Sequence, residues 1–303
     1  MINLCPNLSF RKNMRFFVPL LLVICLHTSI HAQQYVTTGD FDRLSKASVG
    51  FGLNTYFGEL RRAQDPKLQT GLSATIGYEH LFTDQIAIRT NLSIYKIQAD
   101  DSLSPLPANK TRNLSFKATN VEFTVQALYY AFRHPASGYK DRAFANPYLH
   151  LGIGITSNNP KTELAGTTYD LRPLSLEGVQ YGGLALAIPL GFGFNFFMSR
   201  NVDLQIEAQY TLTMTGYLDD VSTVYRDPSS FSETNGVDAN TLGLLSDPRA
   251  ALNPPVAPVA AGTPRGDGSN DSYLRIGFRL GFYLPKSLYG KSSIRCKVIK
   301  MTR

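Results

Sequence analysis

The sequence predicts an all-β protein: an eight-stranded antiparallel transmembrane β-barrel of the outer-membrane kind, with short periplasmic turns and long extracellular loops. Three observations carry this. Eight segments alternate strictly between two faces, the face with small and polar residues is the one a closed barrel turns inward, and the connections are short and long by turns. Composition agrees: 43% hydrophobic, 17% charged and three Cys in 303 residues exclude collagen-like, disordered and disulfide-stapled classes.

Residues 1–32 are expected to be a secretory signal peptide. Arg11, Lys12 and Arg15 precede an apolar run from Phe16 to Ile30, and Ile30-His31-Ala32 supplies a cleavage site. Met14 serves equally well as the start. An uncleaved anchor is the other reading, but the run is shorter than the ~20 residues a spanning helix needs. Ile24 before Cys25 argues against a lipoprotein. Cleavage leaves Cys296 alone, so no internal disulfide forms. Residues 33–46 are expected to be a periplasmic N-terminal segment, 47–285 the barrel and 286–303 a basic periplasmic tail, in the outer membrane of a Gram-negative bacterium.

The expected strands run Val49 to Phe57, Leu72 to His80, Ile86 to Ile97, Val121 to Tyr129, Leu149 to Ile155, Leu186 to Phe196, Val202 to Met214 and Leu274 to Leu284. The seventh is the clearest: Val202, Leu204, Ile206, Ala208, Tyr210 and Leu212 alternate with Asp203, Gln205, Glu207, Gln209, Thr211 and Thr213. No amphipathic helix lies between the strands. Turns at Thr83-Asp84 and Ser199-Arg200 and a moderate connection from His134 to Asn146 fall at one end. The longer connections, Gly58 to Gln69, Ala99 to Ala118, Thr156 to Ala185 and Thr215 to Asp271, fall at the other. Pro254, Pro255 and Pro258 keep part of the last loop out of any ladder.

A soluble sandwich or lipocalin-like barrel would also show eight alternating strands, with its large apolar residues inside. Here one face carries Gly50, Gly52, Ser73, Thr75, Gly152, Gly154, Gly191 and Gly193, and the other Phe51, Leu53, Ile76, Ile153, Phe192 and Phe194. Eight strands enclose room only for side chains, so the small face is the lumen. That face also holds Glu79, Glu122, Asp203 and Glu207 against Arg89, Arg275 and Arg279, expected to form a paired interior network that plugs the lumen; a proton or ion path is the alternative. In the last strand, Arg275, Gly277, Leu280 and Phe282 look like the terminal signal read by the barrel-assembly machinery, although the chain continues for eighteen residues after Pro285.

Several segments resemble a family of Bacteroidota outer-membrane barrels that includes PorG of the type IX secretion and gliding system. The matching pieces are Tyr56-Phe57-Gly58-Glu59-Leu60, Arg112-Asn113-Leu114-Ser115-Phe116, Pro147-Tyr148-Leu149 and Ile188-Pro189-Leu190-Gly191. More specific are the run Tyr169, Asp170, Leu171, Arg172, Pro173 through Glu177 and Gly178, and the run Tyr217, Leu218, Asp219, Asp220, Val221, Ser222 through Tyr225. The resemblance implies a structural barrel, with no catalysis of its own, that anchors periplasmic lipoprotein and ring subunits of a secretion machine. The matched loop motifs lie on the long-loop side, away from such a ring, so they are expected to specify loop packing. Asp219 and Asp220 also admit a calcium reading through hard carboxylate oxygens.

Other classes find less support. Surface enzymes of this kind usually want a His, and His80, His134 and His150 all fall near the periplasmic end. A carboxylate-only site at Glu59, Asp100, Asp101, Asp219 and Asp220 is weighed against ordinary solvated loop charges. Arg265-Gly266-Asp267 resembles an adhesion tripeptide and is read as plain loop. A surface barrel binding a ligand or host component through its long last loop is the alternative function. No cofactor is expected. The net charge of +7 suggests nucleic acid until it is located: the leader holds three positive charges and the tail six, with no acid in either, which leaves −2 on residues 33–285. Nucleic acid is therefore not an expected partner; outer-membrane lipid and the assembly machinery are.

Overall fold

A computed structural model describes residues 45–61, 69–134, 142–252 and 254–284. The expected leader, most of the N-terminal segment and the basic tail lie outside these residues.

Among the described residues ten strands form: β1 (Ser45–Phe57), β2 (Thr70–Leu81), β3 (Ile86–Asp100), β4 (Ser115–Tyr130), β5 (Ala145–Ser157), β6 (Lys161–Leu164), β7 (Thr167–Asp170), β8 (Leu184–Phe197), β9 (Val202–Thr213) and β10 (Ser272–Tyr283). Eight of them pair in the order β3-β2-β1-β10-β9-β8-β5-β4, and β3 pairs with β4 to close the ring. All pairings are antiparallel, and β1 meets β10 from Lys46↔Tyr283 to Phe57↔Ser272, which joins the two ends of the barrel chain. Closure leaves the eight barrel strands without an edge, as lipid requires of a spanning sheet.

Two departures from the sequence reading have simple causes. Strand β1 starts at Ser45, so Lys46 belongs to the barrel and not to a preceding segment. The connection between β5 and β8 is not plain loop: β6 and β7 form a hairpin above the barrel, attached to β4 through Lys117↔Lys161. Its turn residues Ala165 and Gly166 both have positive φ (49° and 81°), the geometry of a two-residue type I′ turn. Four-residue strands with an Ala where Asn or Gly is usual leave almost no pattern to detect.

The barrel is inside-out. Phe51, Leu72, Ile153 and Phe278 stand at least half exposed on its exterior, whereas Asn91, Thr124, Gln126 and Gln209 are buried within it. The apolar belt has matched ends: on β3 it runs from Ile86 to Ile94, and these residues pair with Tyr129 and Val121, the ends of the belt on β4. Nine residues rising ~3.3 Å each along a strand tilted ~40° cover roughly 20 Å of bilayer height. Phe82, Phe132 and Phe144, all exposed near the short turns, mark the lower boundary as an aromatic girdle does.

Above Ile94 and Val121 the same two strands reverse polarity. Lys96 and Lys117 face out, while Tyr95, Ile97, Ala99, Phe116 and Ala118 are buried inside. Below that level the exterior faces lipid; above it the exterior faces water, and the apolar side must turn inward. No helix among the described residues is long and apolar enough to cross a membrane; the crossing is made by strands.

Candidate functional site

The seven interior charges expected from sequence are all buried and paired. Arg89 on β3 reaches Glu207 on β9 at 2.7 Å and Glu79 on β2 at 3.2 Å. Arg279 holds the other Glu207 oxygen at 2.9 Å, and Arg275 on β10 holds Glu122 on β4 at 3.2 Å. Strands β3 and β9, and likewise β4 and β10, stand four places apart in a ring of eight, so two of these pairs span the full diameter of the lumen. Tyr148 also donates to Glu207 (3.0 Å), Tyr130 to Glu79 (2.6 Å) and Tyr273 to Glu122. Lys46 completes the set at 3.0 Å from Glu79 and 3.6 Å from Asp203. With Lys46 the network balances, four acids against four bases, where the sequence reading was one positive charge short. Gly277 lies inside beside it, and Leu280 and Phe282 face out.

The long-loop mouth is closed by the chain itself. Leu60, Leu114, Leu218 and Val221 descend onto Tyr56, Tyr95, Ile97, Phe116 and Tyr273 and form an apolar core across the opening. A second core joins Leu171, Leu174 and Leu176 to Phe231, Leu242 and Leu245 of the last loop, with Tyr169 packed against it.

Between the two cores sits a polar clasp. Glu177 accepts from the backbone of Ser222 (3.0 Å) and Thr223 (2.7 Å) and is paired with Arg265 at 3.1 Å; both side chains are 2% exposed. Arg265 also lies 3.6 Å from Asp220, which accepts from Tyr181 at 2.6 Å, and the Tyr181 ring stacks on Tyr217. Gly178 turns the chain at φ +77°. Arg112 grips Asp101 through two hydrogen bonds of 2.7 and 2.8 Å and donates to the Glu59 carbonyl. Around the edge, Asp170 pairs with Lys161 at 2.8 Å, the Pro173 carbonyl accepts from Asn235, and the Arg249 guanidinium covers the Tyr225 ring. The motif segments from four separate connections thus pack on one another. Burial of Arg265 also leaves no presented adhesion tripeptide.

Deeper in the mouth three carboxylates converge. One ligand oxygen each of Glu59, Asp219 and Asp271 lie within 4.8 Å of one another, and all three residues are buried. The Tyr56 hydroxyl sits 2.7 Å from Asp219 and 2.5 Å from Asp271. Gly58 is obligatory there, because a Cβ would lie 1.9 Å from that hydroxyl and 2.0 Å from Asp271 Oδ1. Burial, then the charge of Asp219, pushes Glu59 up to about 8. Burial likewise holds Asp219 up at about 7 and drives Asp271 well above the carboxylate range, with Asp219 and Glu59 adding to the latter. Asp220 is pushed up to about 6 by burial, against the pull of Arg265.

These positions correct two expectations. Asp219 and Asp220 do not share a site: Asp220 takes a left-handed turn (φ 67°), so Asp219 faces the carboxylate cluster and Asp220 faces Arg265. Nor are the rim carboxylates solvated, since Glu59, Asp101, Asp219 and Asp220 are all buried; Asp100, by contrast, caps the turn at Ser102. Asp271 was visible in the sequence only as a loop end. His80, His134 and His150 lie in the turn-side half of the barrel, away from this mouth. A cavity of about 180 Å³ opens beside the cluster, with Asp219, Leu60, Asn113, Thr162 and Leu245 in its wall.

No protein-family model and no curated protein matches the sequence. Among solved structures the chain is similar to neisserial surface protein A, with 11% identity over 79% of this chain and 97% of that one and a TM-score of 0.39. It is also similar to the outer membrane protein OprG of Pseudomonas aeruginosa, with 12% identity over 80% and 98% and a TM-score of 0.35. A third is Ail, the attachment invasion locus protein of Yersinia pestis, in complex with the heparin analogue sucrose octasulfate, at 10% identity over 78% and 97% and a TM-score of 0.34. These likenesses extend to the fold and no further.

Proposed function

We propose that the chain is an integral outer-membrane scaffold, without catalysis of its own, that anchors a periplasmic secretion assembly of the type IX kind. One observation supports a scaffold over a transporter: Arg89–Glu207 and Arg275–Glu122 cross the whole lumen at 2.7 and 3.2 Å, in a barrel too narrow for a channel around them. The type IX assignment rests on the resemblance to the PorG-containing family. Lipid covers the belt, the barrel-assembly machinery reads Arg275, Gly277, Leu280 and Phe282 during insertion, and lipoprotein or ring subunits bind at the turn end. Photo-crosslinkers at the exposed turn residues Thr83 and Ser199 should capture periplasmic lipoproteins in native membranes. Capture of none, with normal secretion in a deletion strain, would sink the proposal.

A second reading is favoured by the cavity in the capped mouth: a surface barrel that binds a ligand through its last loop. Removing that whole loop is a poor test, because it takes away Arg265 and the clasp. Filling the cavity from the last loop with Ala251→Trp leaves the clasp intact, because exposed Ala251 lines the cavity and makes none of the clasp contacts named above. Loss of surface binding with secretion unchanged would favour this reading over the anchor.

A further inference from the structure

We propose that Glu59, Asp219 and Asp271 bind a hard divalent cation of the calcium type at the capped mouth. The role is independent of periplasmic anchoring, since the cluster lies at the opposite end of the barrel.

Two separate observations point to a ligand. The first is geometric: three carboxylates, one from the connection after β1 and two from opposite ends of the last loop, meet within 4.8 Å, held by the Tyr56 hydroxyl and by backbone donors, Leu218 N to Asp271 (2.8 Å) and Val221 N to Asp219 (2.9 Å). The second is an unmet demand. Glu59 is 9% exposed, yet neither of its oxygens meets a hydrogen-bond donor among the described residues. A buried carboxylate with no donor, facing two others, is costly unless protons or a cation neutralise it. The nearby guanidiniums are committed elsewhere, Arg112 to Asp101 and Arg265 to Glu177 and Asp220, although both still draw Asp219 downward.

The donor set selects among metals. Zinc favours His and Cys, and no described His approaches the cluster. Magnesium demands near-octahedral geometry and usually keeps its waters with one or two carboxylates, whereas calcium accepts 6–8 oxygens in irregular arrangements. Three carboxylates, each with two oxygens, suit calcium. The adjoining cavity, with Asp219 in its wall, supplies an approach and room for water ligands. A bound cation would tie the turn after β1 to both ends of the last loop, which are the segments that close the mouth.

The experiment uses the full-length barrel refolded in detergent, with terbium as a luminescent stand-in for calcium. The chain has no Trp, so sensitised emission must come through Tyr, and Tyr56 already touches two of the ligands. The expected result is Tyr-sensitised emission displaced by calcium far better than by magnesium. Affinity should fall roughly tenfold or more in Glu59→Gln and in Asp219→Asn, because ligand charge sets calcium affinity. Asp238→Asn, at the exposed N-cap of the short helix Ala239–Ser246 in the last loop, should bind as wild type. Heat-dependent gel mobility confirms that each variant remains folded, and Glu59→Gln should fold readily because it removes repulsion. Emission that calcium does not displace, or equal binding by folded Glu59→Gln, would overturn the proposal.

Discussion

Lys46 Nζ lies 3.0 Å from Glu79 Oε1 inside the barrel, with both side chains 1% exposed, and it is the fourth positive charge that neutralises the lumen. Replacing Lys46 by Met would leave Glu79 with Arg89 as its one remaining cationic partner, beside the Tyr130 hydroxyl, and Asp203 with only neutral donors from Asn195 and Tyr283. Removing one partner of a buried pair typically costs about 3–5 kcal/mol. Urea unfolding of the barrel in lipid vesicles should show a loss of that order, partly restored in Lys46→Met/Glu79→Gln. A change within experimental error would mean that the network is solvated.

The Arg265–Glu177 pair joins positions 88 residues apart and holds the last loop onto the connection between β5 and β8. Arg265→Ala should leave the barrel intact, because none of its partners lies in a spanning strand. Local opening should rise by about a hundredfold, the equivalent of ~3 kcal/mol for a broken buried pair. Limited proteolysis should then cut between 215 and 271 while the heat-dependent gel shift of the barrel persists. Wild-type cleavage rates would show that the two apolar cores suffice to hold the loop.

The barrel was legible because a strand with period two writes its faces into the sequence, as Val202 to Thr213 does residue by residue. The seven interior charges followed from the same alternation. Lys46 escaped because Ser45-Lys46-Ala47-Ser48 has too little apolar contrast to show its phase. The polarity reversal at Ile97 and Phe116 escaped for a related cause: the strand runs on unbroken, but its apolar residues change parity between Ile94 and Tyr95, and a sequence does not say where the medium outside changes. The Glu59, Asp219 and Asp271 cluster has no local pattern at all, since loop folding brings it together from two connections and, within the last loop, from positions far apart in sequence. The motif resemblance marked Glu59 and Asp219 individually; their meeting with Asp271 is tertiary.

The matched belt on β3 and β4 sets a sharp test of membrane position. Val125 on β4, opposite Thr90, faces out at the midpoint of the belt and is 38% exposed, whereas Gln98 faces out above it. An arginine facing lipid at the bilayer midplane costs about 2–4 kcal/mol and close to nothing near the interface. Val125→Arg should therefore destabilise folding into vesicles by that amount, and Gln98→Arg should fold as wild type. Equal behaviour of the two variants would place the membrane elsewhere.

The carboxylate cluster makes the cap sensitive to pH with a definite sign. Glu59 and Asp219 are held at about 8 and about 7 by burial, both above the ordinary carboxylate range, and Asp271 moves the same way. Between the ordinary and raised values the closed cap binds protons that an opened cap releases, so its stability falls as pH rises. Protection is full below the ordinary range and is lost as pH climbs through about 7 to about 8. The surroundings modify but do not reverse this: Arg112 and Arg265 pull Asp219 down, while Asp267 pushes Glu59 up. Asp220, raised to about 6, adds a contribution of the same sign. In chelator, hydrogen exchange across 215–271, corrected for its intrinsic pH dependence, should report a cap that opens more often at alkaline than at mildly acidic pH. Glu59→Gln should flatten the slope, because it removes one titrating group and the repulsion that group exerts on Asp219 and Asp271. Calcium should flatten it in the wild type alone, by replacing protons as the neutralising charge. Equal protection across the range in chelator would show that the closed and the opened cap bind the same number of protons, so that the carboxylates of the closed mouth are not raised.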